Sequence, residues 1–177
     1  PLAFYLKKEE NLEKIRIIEE VSSITHSHKR SKLACIIYVE LAINLLKFRD
    51  KKKAYENTVD FIMEHCKNDY EEEFINFERV LNKKIYLLKE EEISSSGYVV
   101  DSLEASIWCF LKSDSYEESV FLAINLGNDT DTIAAITGGL SGIFYEFISI
   151  PDNWVQTLAR KKYIYDLFLE FNNVICE

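Results

Sequence analysis

Glycine and proline are scarce in this chain. It has five Gly and two Pro among 177 residues, about 4% against roughly 12% in average proteins. A β-sandwich, barrel or propeller requires a turn about every ten residues, and few turn-forming residues are available here. Because 47% of the residues are hydrophobic and 13% are aromatic, the chain does not have the composition of a disordered segment. The composition therefore predicts an all-α protein forming a single domain over residues 1–177.

Positive charge and long apolar segments are also lacking. Lys and Arg number 21 against 30 Asp and Glu, which gives a formal net charge of −9. Such a chain has no field to attract nucleic acid or anionic lipid, so neither is expected as a partner. The most apolar stretch, residues 133–147, contains three glycines and Glu146 and is too short to span a bilayer. No basic segment precedes an apolar stretch at the start of the sequence, and we expect a cytoplasmic protein.

The cysteines do not form a recognisable motif. No two of the four lie within thirty residues of each other. This spacing excludes a zinc knuckle, a redox CxxC motif and a dense disulfide framework. We therefore expect free thiols in a reducing compartment at Cys35, Cys66, Cys109 and Cys176.

Hydrophobic periodicity predicts helices in the first half of the chain. Residues 2–22 contain two amphipathic segments separated by the polar residues 7–11, and the second has an apolar stripe at every third position. The stripe comprises Leu12, Ile15, Ile18 and Val21. Residues 33–45 are apolar on most of a helical circumference, which predicts the central helix. Residues 47–96 predict two helices that cover the core.

Capping signals divide the second half. Asp101 with Glu104, and Ser115 with Glu118, match the capping-box pattern at a helix start. Gly127 then has the position of a glycine that ends a helix. A helix over residues 133–148 follows, and its three glycines predict close approach to other elements at the middle of the bundle. A terminal helix is expected over residues 154–171.

The sequence GNDTDT at residues 127–132 carries the strongest chemical signal. Asp129 occupies a helix N-cap position, with Asp131 and Thr132 in the first turn. Two carboxylates and a hydroxyl form a hard-oxygen face suited to Mg²⁺, Mn²⁺ or Ca²⁺. The alternative is plain capping, because Asp and Thr also favour helix N-termini without a metal.

Two further segments are weaker candidates. His26 and His28 form a His-x-His pair, but a zinc site needs three or four ligands, so a polar turn between helices is the alternative. Gly97 would let the backbone approach a ligand, with Tyr98 as a wall beside it. Packing of Tyr98 in the core would explain the same residues.

Taken together, these segments resemble a known family. The ordered segments PLAFYL, THSH, GYVVDSLEASIWCFL, NLGNDTDTIAAITGGLSG and IPDNW resemble those of the ADP-ribosylglycohydrolases, which include the dinitrogenase-reductase-activating glycohydrolases. The resemblance is specific in the last eighty residues and loose between residues 47 and 93. It implies an all-α orthogonal multi-helix bundle with a binuclear Mg²⁺ (or Mn²⁺) centre below an ADP-ribose cleft. It also implies hydrolysis of the glycosidic bond between ADP-ribose and a protein side chain.

The resemblance implies two sets of site residues. The expected metal ligands are Asp129, Asp131 and Thr132. The expected ADP-ribose-binding residues are His26, Gly97, Tyr98 and Asn128, the last in place of a more usual glycine.

One part of the family pattern is not found. The family's N-terminal half carries a GDALG-like segment, an (S/T)DDT motif with further metal ligands, and a glycine-rich phosphate loop. Three oxygen-bearing side chains are too few for two metal ions. The sequence therefore resembles the C-terminal portion of a glycohydrolase, and the alternative is a truncated, non-catalytic relative that acts as a binding or structural module. Apolar surface left uncovered predicts self-association.

Overall fold

The computed structural model describes residues 1–176, and these residues form helices without any β-strand. The α-helices are α1 (Leu2–Leu6), α2 (Asn11–Ser23), α3 (Lys29–Lys47), α4 (Lys51–His65), α5 (Lys67–Phe74), α6 (Glu78–Leu81), α7 (Val99–Lys112), α8 (Tyr116–Asn125), α9 (Thr130–Tyr145), α10 (Asp152–Thr157) and α11 (Lys161–Cys176). Short 3₁₀ turns lie at Ile75–Phe77, Ile85–Leu87, Glu90–Glu92 and Phe147–Ser149. The prediction of an all-α fold is confirmed.

Helix α3 lies at the centre of the bundle, as its apolar circumference predicts. It packs against α1, α2, α4, α5, α7 and α9. Leu33, Ile36, Leu41 and Ile43 are completely buried along it. Helix α7 is the second buried element, and every residue from 102 to 110 is buried. These two helices therefore provide the rigid support for the segments that carry the site.

A buried polar network joins the first helices to α3. The Lys14 ammonium of α2 donates to Glu40 Oε2 of α3 at 2.9 Å. Asn44 donates to Glu40 Oε1 at 3.3 Å and to Thr58 Oγ1 of α4 at 3.1 Å. Lys14 and Glu40 are 4% and 3% exposed, so each charge depends on the other for its stability in the core.

The connection from α8 to α9 follows its sequence signals. Ser115 caps α8, because its hydroxyl accepts the N–H of Glu118 at 3.1 Å. The Glu118 carboxylate in turn accepts the N–H of Asp114 at 2.6 Å. Gly127 follows the helix with φ +78°, a conformation that residues other than glycine adopt at a cost. The predicted cap and the predicted helix end are both confirmed.

Two helix predictions are wrong in placement. The glycines of α9 do allow close approach, as predicted, because a Cβ atom at Gly139 would overlap the Tyr38 hydroxyl of α3. Helix α9 is nevertheless not at the middle of the bundle, since it buries only one face, against α3, α7 and α8. The single terminal helix expected over residues 154–171 is two helices, α10 and α11. They are separated at residues 158–160, where Arg160 has φ +58°.

Two residue-level predictions are also wrong. The stripe on α2 faces the core at Ile18 but not throughout, because Leu12 is 77% exposed and Val21 is 45% exposed. Asp101 does not cap a helix, since α7 already begins at Val99. Glu104 is buried and lies 3.1 Å from an Arg79 nitrogen, so it does not serve as the second half of a capping box.

The thiol prediction is confirmed where side chains are described. Cys35, Cys66 and Cys109 are free. Burial raises the pKa of both Cys66 and Cys109 to about 12, so these thiols are unreactive at neutral pH. The prediction for Cys176 falls on a side chain outside the described part of the structure.

The last helix presents apolar side chains to solvent. Tyr163, Tyr165, Phe168 and Val174 of α11 are each more than half exposed. Self-association through such surfaces remains a prediction. Among the helices of residues 1–176, none combines the length and the apolar character needed to cross a bilayer.

Candidate functional site

The GNDTDT segment forms the N-terminus of α9. Asp129 occupies the N-cap position, but its carboxylate accepts no hydrogen bond from the first turn. Asp131 and Thr132 follow in that turn, and both are exposed. Among the described residues, none of these three side chains makes a hydrogen bond or an ion pair. Capping by the Asp129 side chain therefore does not account for the motif, and its oxygens remain available to a ligand.

The donor set at this helix end suits one hard cation. Asp129, Asp131 and Thr132 offer two carboxylates and a hydroxyl. Magnesium is commonly held by one or two carboxylates together with water and substrate phosphates. The part of the chain that the structure describes contains no group of three or more His, Cys, Asp and Glu side chains placed to hold a metal. Asp129, Asp131 and Thr132 are oxygen donors of the kind that Mg²⁺ and Mn²⁺ take, and three such side chains are fewer than two ions require.

A largely apolar cleft of about 590 Å³ opens beside this helix end. Helices α1, α2, α3, α7 and α9 all contribute to its wall. Three of the predicted site residues line it: His26, Gly97 and Thr132. Tyr38 also lines the cleft, and its hydroxyl donates to the Ile136 carbonyl of α9 at 3.2 Å. Segments far apart in the sequence thus meet at one cleft.

Gly97 brings the backbone directly against Asp129. A Cβ atom at position 97 would lie 2.8 Å from Asp129 Oδ2, which is closer than real Cβ atoms come to an oxygen. The absence of a side chain at Gly97 therefore allows the Asp129 carboxylate its observed position. This contact connects the predicted ligand-binding loop to the predicted metal ligands.

Tyr98 lies on the surface, so the prediction that it could pack in the core is wrong. Its side chain is 45% exposed, and its hydroxyl accepts a hydrogen bond from Arg30 Nη1 at 2.6 Å. Arg30 Nε donates to Glu73 Oε2, also at 2.6 Å, and this bond raises the pKa of Arg30. Tyr98 does not line the cleft itself.

Asn128 is fixed by the loop before α7. It has φ +56°, and its side-chain amide donates to Ser95 Oγ at 2.9 Å. Asn is among the residues that tolerate this left-handed conformation. The side chain of Asn128 therefore has a structural partner, and it does not line the cleft with Gly97.

The two histidines have different surroundings. His28 caps α3, because its Nδ1 accepts the N–H of Arg30 at 3.1 Å. His26 is exposed, and its Nδ1 lies 3.0 Å from Thr25 Oγ1. A polar turn between helices therefore explains His28, whereas His26 lines the cleft.

Sequence analysis missed the residues that support this site. Ser95 is 4% exposed, although the run of serines at residues 94–96 resembles a solvated loop. Arg30 and Glu73 contact across 43 positions of sequence, and no local pattern marks such a pair. The signal that could have found Ser95 is the position of three serines immediately before the Gly97–Tyr98 segment.

The helical fold, the acidic start of α9 and the adjoining cleft define an ADP-ribosylglycohydrolase-type domain. A sequence model of the ADP-ribosylglycohydrolase family matches residues 1–176. The chain belongs to the ADP-ribosylglycohydrolase family.

Curated relatives match parts of the chain. It is 42% identical over 79 residues to the ADP-ribosylarginine hydrolase Tri1 of Serratia proteamaculans (strain 568), covering 45% of this chain and 22% of that protein. It is 26% identical over 138 residues to the ADP-ribosyl-[dinitrogen reductase] glycohydrolase of Rhodospirillum rubrum, covering 78% of this chain and 41% of that protein. The chain thus spans less than half the length of these relatives.

A solved structure supports the fold. A chain of an "ADP-ribosylglycohydrolase-related protein complex" superposes with a TM-score of 0.77 at 24% sequence identity. The match covers 94% of this chain and 54% of that chain. At this identity the similarity establishes the arrangement of helices only.

Proposed function

We propose that this chain provides part of the active site of a metal-dependent hydrolase that removes ADP-ribose from modified protein side chains. The observation that carries the proposal is the set of unpartnered oxygens of Asp129, Asp131 and Thr132 beside a cleft lined by His26 and Gly97. Relatives whose names specify ADP-ribosylarginine and ADP-ribosylated dinitrogen reductase support the substrate class.

Each part of the site has a role in this proposal. The carboxylates of Asp129 and Asp131 and the hydroxyl of Thr132 hold one Mg²⁺ or Mn²⁺ ion. The free N–H groups and positive dipole end of α9 favour a diphosphate. The apolar wall of the cleft excludes water from the bound sugar, and His26 contacts the nucleotide at its mouth. When bound, the metal supplies positive charge that polarises ribose hydroxyls and orients a water near the anomeric carbon.

A binuclear centre requires ligands beyond these three. The family resemblance implies two ions, and these three side chains fill only part of the coordination shells that two ions need. We propose that ligands other than Asp129, Asp131 and Thr132 complete the centre. These ligands would lie on polypeptide that corresponds to the part of the relatives that this chain does not match. The compartment is proposed to be the cytoplasm, because the free thiols suit a reducing environment.

A binding module without turnover is the second candidate function. The observation in its favour is that residues 1–176 contain no larger cluster of metal-binding side chains. A module of this kind would bind ADP-ribose or an ADP-ribosylated protein and release no product. Turnover distinguishes the two candidates, since both predict binding.

Asp131→Asn tests the proposed function. Asp131 is exposed and makes no hydrogen bond or ion pair among the described residues, so the variant should lose no more than the roughly 0.3–1 kcal/mol that a charge at a helix N-terminus contributes. Titration with Mn²⁺ should broaden the amide resonances of residues 129–132 in the wild type and not in the variant. Release of ADP-ribose from an ADP-ribosylated arginine protein should be lost with it.

Asp152→Asn is the matched control. Asp152 is also an exposed aspartate in the first turn of a helix, α10. Its replacement should leave the Mn²⁺ response unchanged. Equal Mn²⁺ broadening in Asp131→Asn, or equal turnover where the wild type is active, would contradict the proposed metal site.

A further inference from the structure

The loop before α7 is tied to that helix by one carboxylate. Residues 93–98 have no helical or strand structure. Asp101 Oδ2, in the first turn of α7, accepts the hydroxyl of Ser94 at 2.7 Å and the hydroxyl of Ser96 at 2.6 Å. A third bond joins the same loop to α7, because the Ser102 hydroxyl donates to the Ser96 carbonyl at 3.1 Å. The residue between the two anchored serines, Ser95, is therefore held on both sides.

Ser95 is bonded to the segment that leads into α9. Its hydroxyl donates to the Leu126 carbonyl at 3.1 Å and accepts the side-chain amide of Asn128 at 2.9 Å. Its carbonyl accepts the N–H of Asp129 at 3.1 Å. Three bonds thus connect one buried serine to the start of the proposed metal site.

The bonds from Ser95 fix the backbone conformation of the segment before α9. Gly127 and Asn128 both have positive φ, at +78° and +56°. Glycine adopts this conformation without penalty, whereas Asn128 adopts it at a cost that neighbouring bonds can offset. The bonds from Ser95 provide such fixation immediately before Asp129.

We propose that Asp101 is a positioning residue for the Asp129, Asp131 and Thr132 face. It acts through the serine clamp, by which we mean residues 94–96. Asp101 orients the two outer serines, and Ser95 then sets where Asp129 lies relative to Gly97. The inference rests on the proposed function for the identity of the ligand, but the link from Asp101 to Asp129 is independent of it. Partners that orient metal ligands in this way commonly change metal affinity 10–100-fold when they are removed.

The first test measures the link without any ligand. In Asp101→Ala, amide hydrogen exchange at Asp129 should accelerate about tenfold, because its acceptor, the Ser95 carbonyl, is no longer fixed. Exchange in the buried part of α7 should not change. Glu117→Ala is the control, since Glu117 is an acidic residue in the first turn of α8 with no bond to a loop. It removes the same favourable charge from a helix N-terminus and should leave Asp129 exchange unchanged.

A second variant removes the clamp and keeps the carboxylate. Ser94→Ala with Ser96→Ala leaves Asp101 in the first turn of α7, so the helix keeps its N-terminal charge. This double variant should reproduce the faster exchange at Asp129. Adding Asp101→Ala to it should produce no further acceleration, because the double variant has already removed both hydrogen bonds that the Asp101 carboxylate makes to the loop.

The third measurement is titration with Mn²⁺ alone, followed by broadening of the amides of residues 129–132. Apparent affinity should fall at least tenfold in Asp101→Ala and in the double serine variant. Unchanged Asp129 exchange in both variants would overturn the positioning role whatever the ligand. Faster exchange with wild-type Mn²⁺ affinity would also overturn it. Faster exchange in a chain whose wild type binds no Mn²⁺ would support the link from Asp101 to Asp129 and contradict the proposed function instead.

Discussion

Replacing Gly97 by alanine should move the Asp129 carboxylate and have little effect on the stability of the fold. Gly97 does not have a positive φ, so alanine can adopt its backbone conformation. The added Cβ would lie 2.8 Å from Asp129 Oδ2, whereas ordinary contacts begin at 3.4 Å. The carboxylate must therefore move by about 0.6 Å. Because the Asp129 carboxylate lies at the end of its side chain and makes no hydrogen bond, this movement requires no rearrangement of the helices.

The expected effects on stability and on binding are different in size. Functional groups must lie within about 0.5 Å of their productive positions, and misplacement by about 1 Å can reduce activity about a hundredfold. We therefore expect ADP-ribose affinity in the presence of Mg²⁺ to fall at least tenfold. The free energy of unfolding should change by less than about 1 kcal/mol, since restricting the unfolded chain offsets part of the strain.

Calorimetric titration and urea denaturation measure these two quantities. Gly142→Ala is the control, because the nearest atom to its added Cβ would be a Tyr116 ring carbon at an ordinary 3.8 Å. It replaces a glycine inside α9 and should stabilise the protein by up to about 1 kcal/mol with unchanged affinity. Wild-type affinity in Gly97→Ala would contradict the prediction that the position of the Asp129 carboxylate determines ADP-ribose binding. A loss of stability large enough to explain weaker binding would contradict it as well.

Three further predictions concern stability and assembly. Glu40→Ala leaves the Lys14 ammonium buried without its partner and should destabilise the protein by about 3–5 kcal/mol in urea denaturation; a change below about 1 kcal/mol would contradict the buried pair. Burial raises the pKa of Glu104 above its ordinary 4.5, so the folded state retains this proton at higher pH than the unfolded state. The contribution of Glu104 to stability is therefore complete below pH 4.5 and decreases as pH rises through its folded-state pKa. Glu104→Gln should remove that decrease in denaturation curves measured at several pH values. The same pH dependence in wild type and variant would contradict this prediction. Because Phe168 and its neighbours on α11 are exposed, sedimentation should detect dimers or larger species, and a monodisperse monomer at all concentrations would count against this.

Local signals in the sequence predict local structure well here. The hydroxyl of Ser115 and the glycine at position 127 act within a few residues of their own position, so their cap and helix end follow from the sequence alone. The apolar circumference of residues 33–45 similarly predicts the central helix. These elements need no information about distant parts of the chain.

The errors occur where the spacing of residues in the sequence does not show which partner a side chain contacts. Asp101 has the spacing of a cap, but the nearby hydroxyls of Ser94 and Ser96 take its carboxylate. Leu12 follows the apolar period of α2 yet faces solvent, because within residues 1–176 the other elements pack on the neighbouring face. Periodicity reports that a face is apolar and does not report what covers it.

In the candidate site, too, local features can be predicted from the sequence and contacts between separate segments cannot. The sequence predicts that Asp129, Asp131 and Thr132 share a helix start, which requires only helical geometry. That His26 and Gly97 line the cleft beside them rests on the family resemblance, since 71 positions separate the two residues. The support from Ser95 was not predictable in this way, because hydrogen bonds to a loop depend on the folded arrangement of α7 and α9.

The most direct test of the account is calorimetric titration of the 177-residue chain with ADP-ribose in the presence of Mg²⁺. We expect binding at one site per chain, loss of that binding after EDTA, and no binding by Asp131→Asn. ADP-ribose binding that is unaffected by both EDTA and Asp131→Asn would contradict the metal-dependent site. No binding by the wild-type chain would contradict the proposal that Asp129, Asp131 and Thr132 hold an ion beside a nucleotide-binding cleft in this chain.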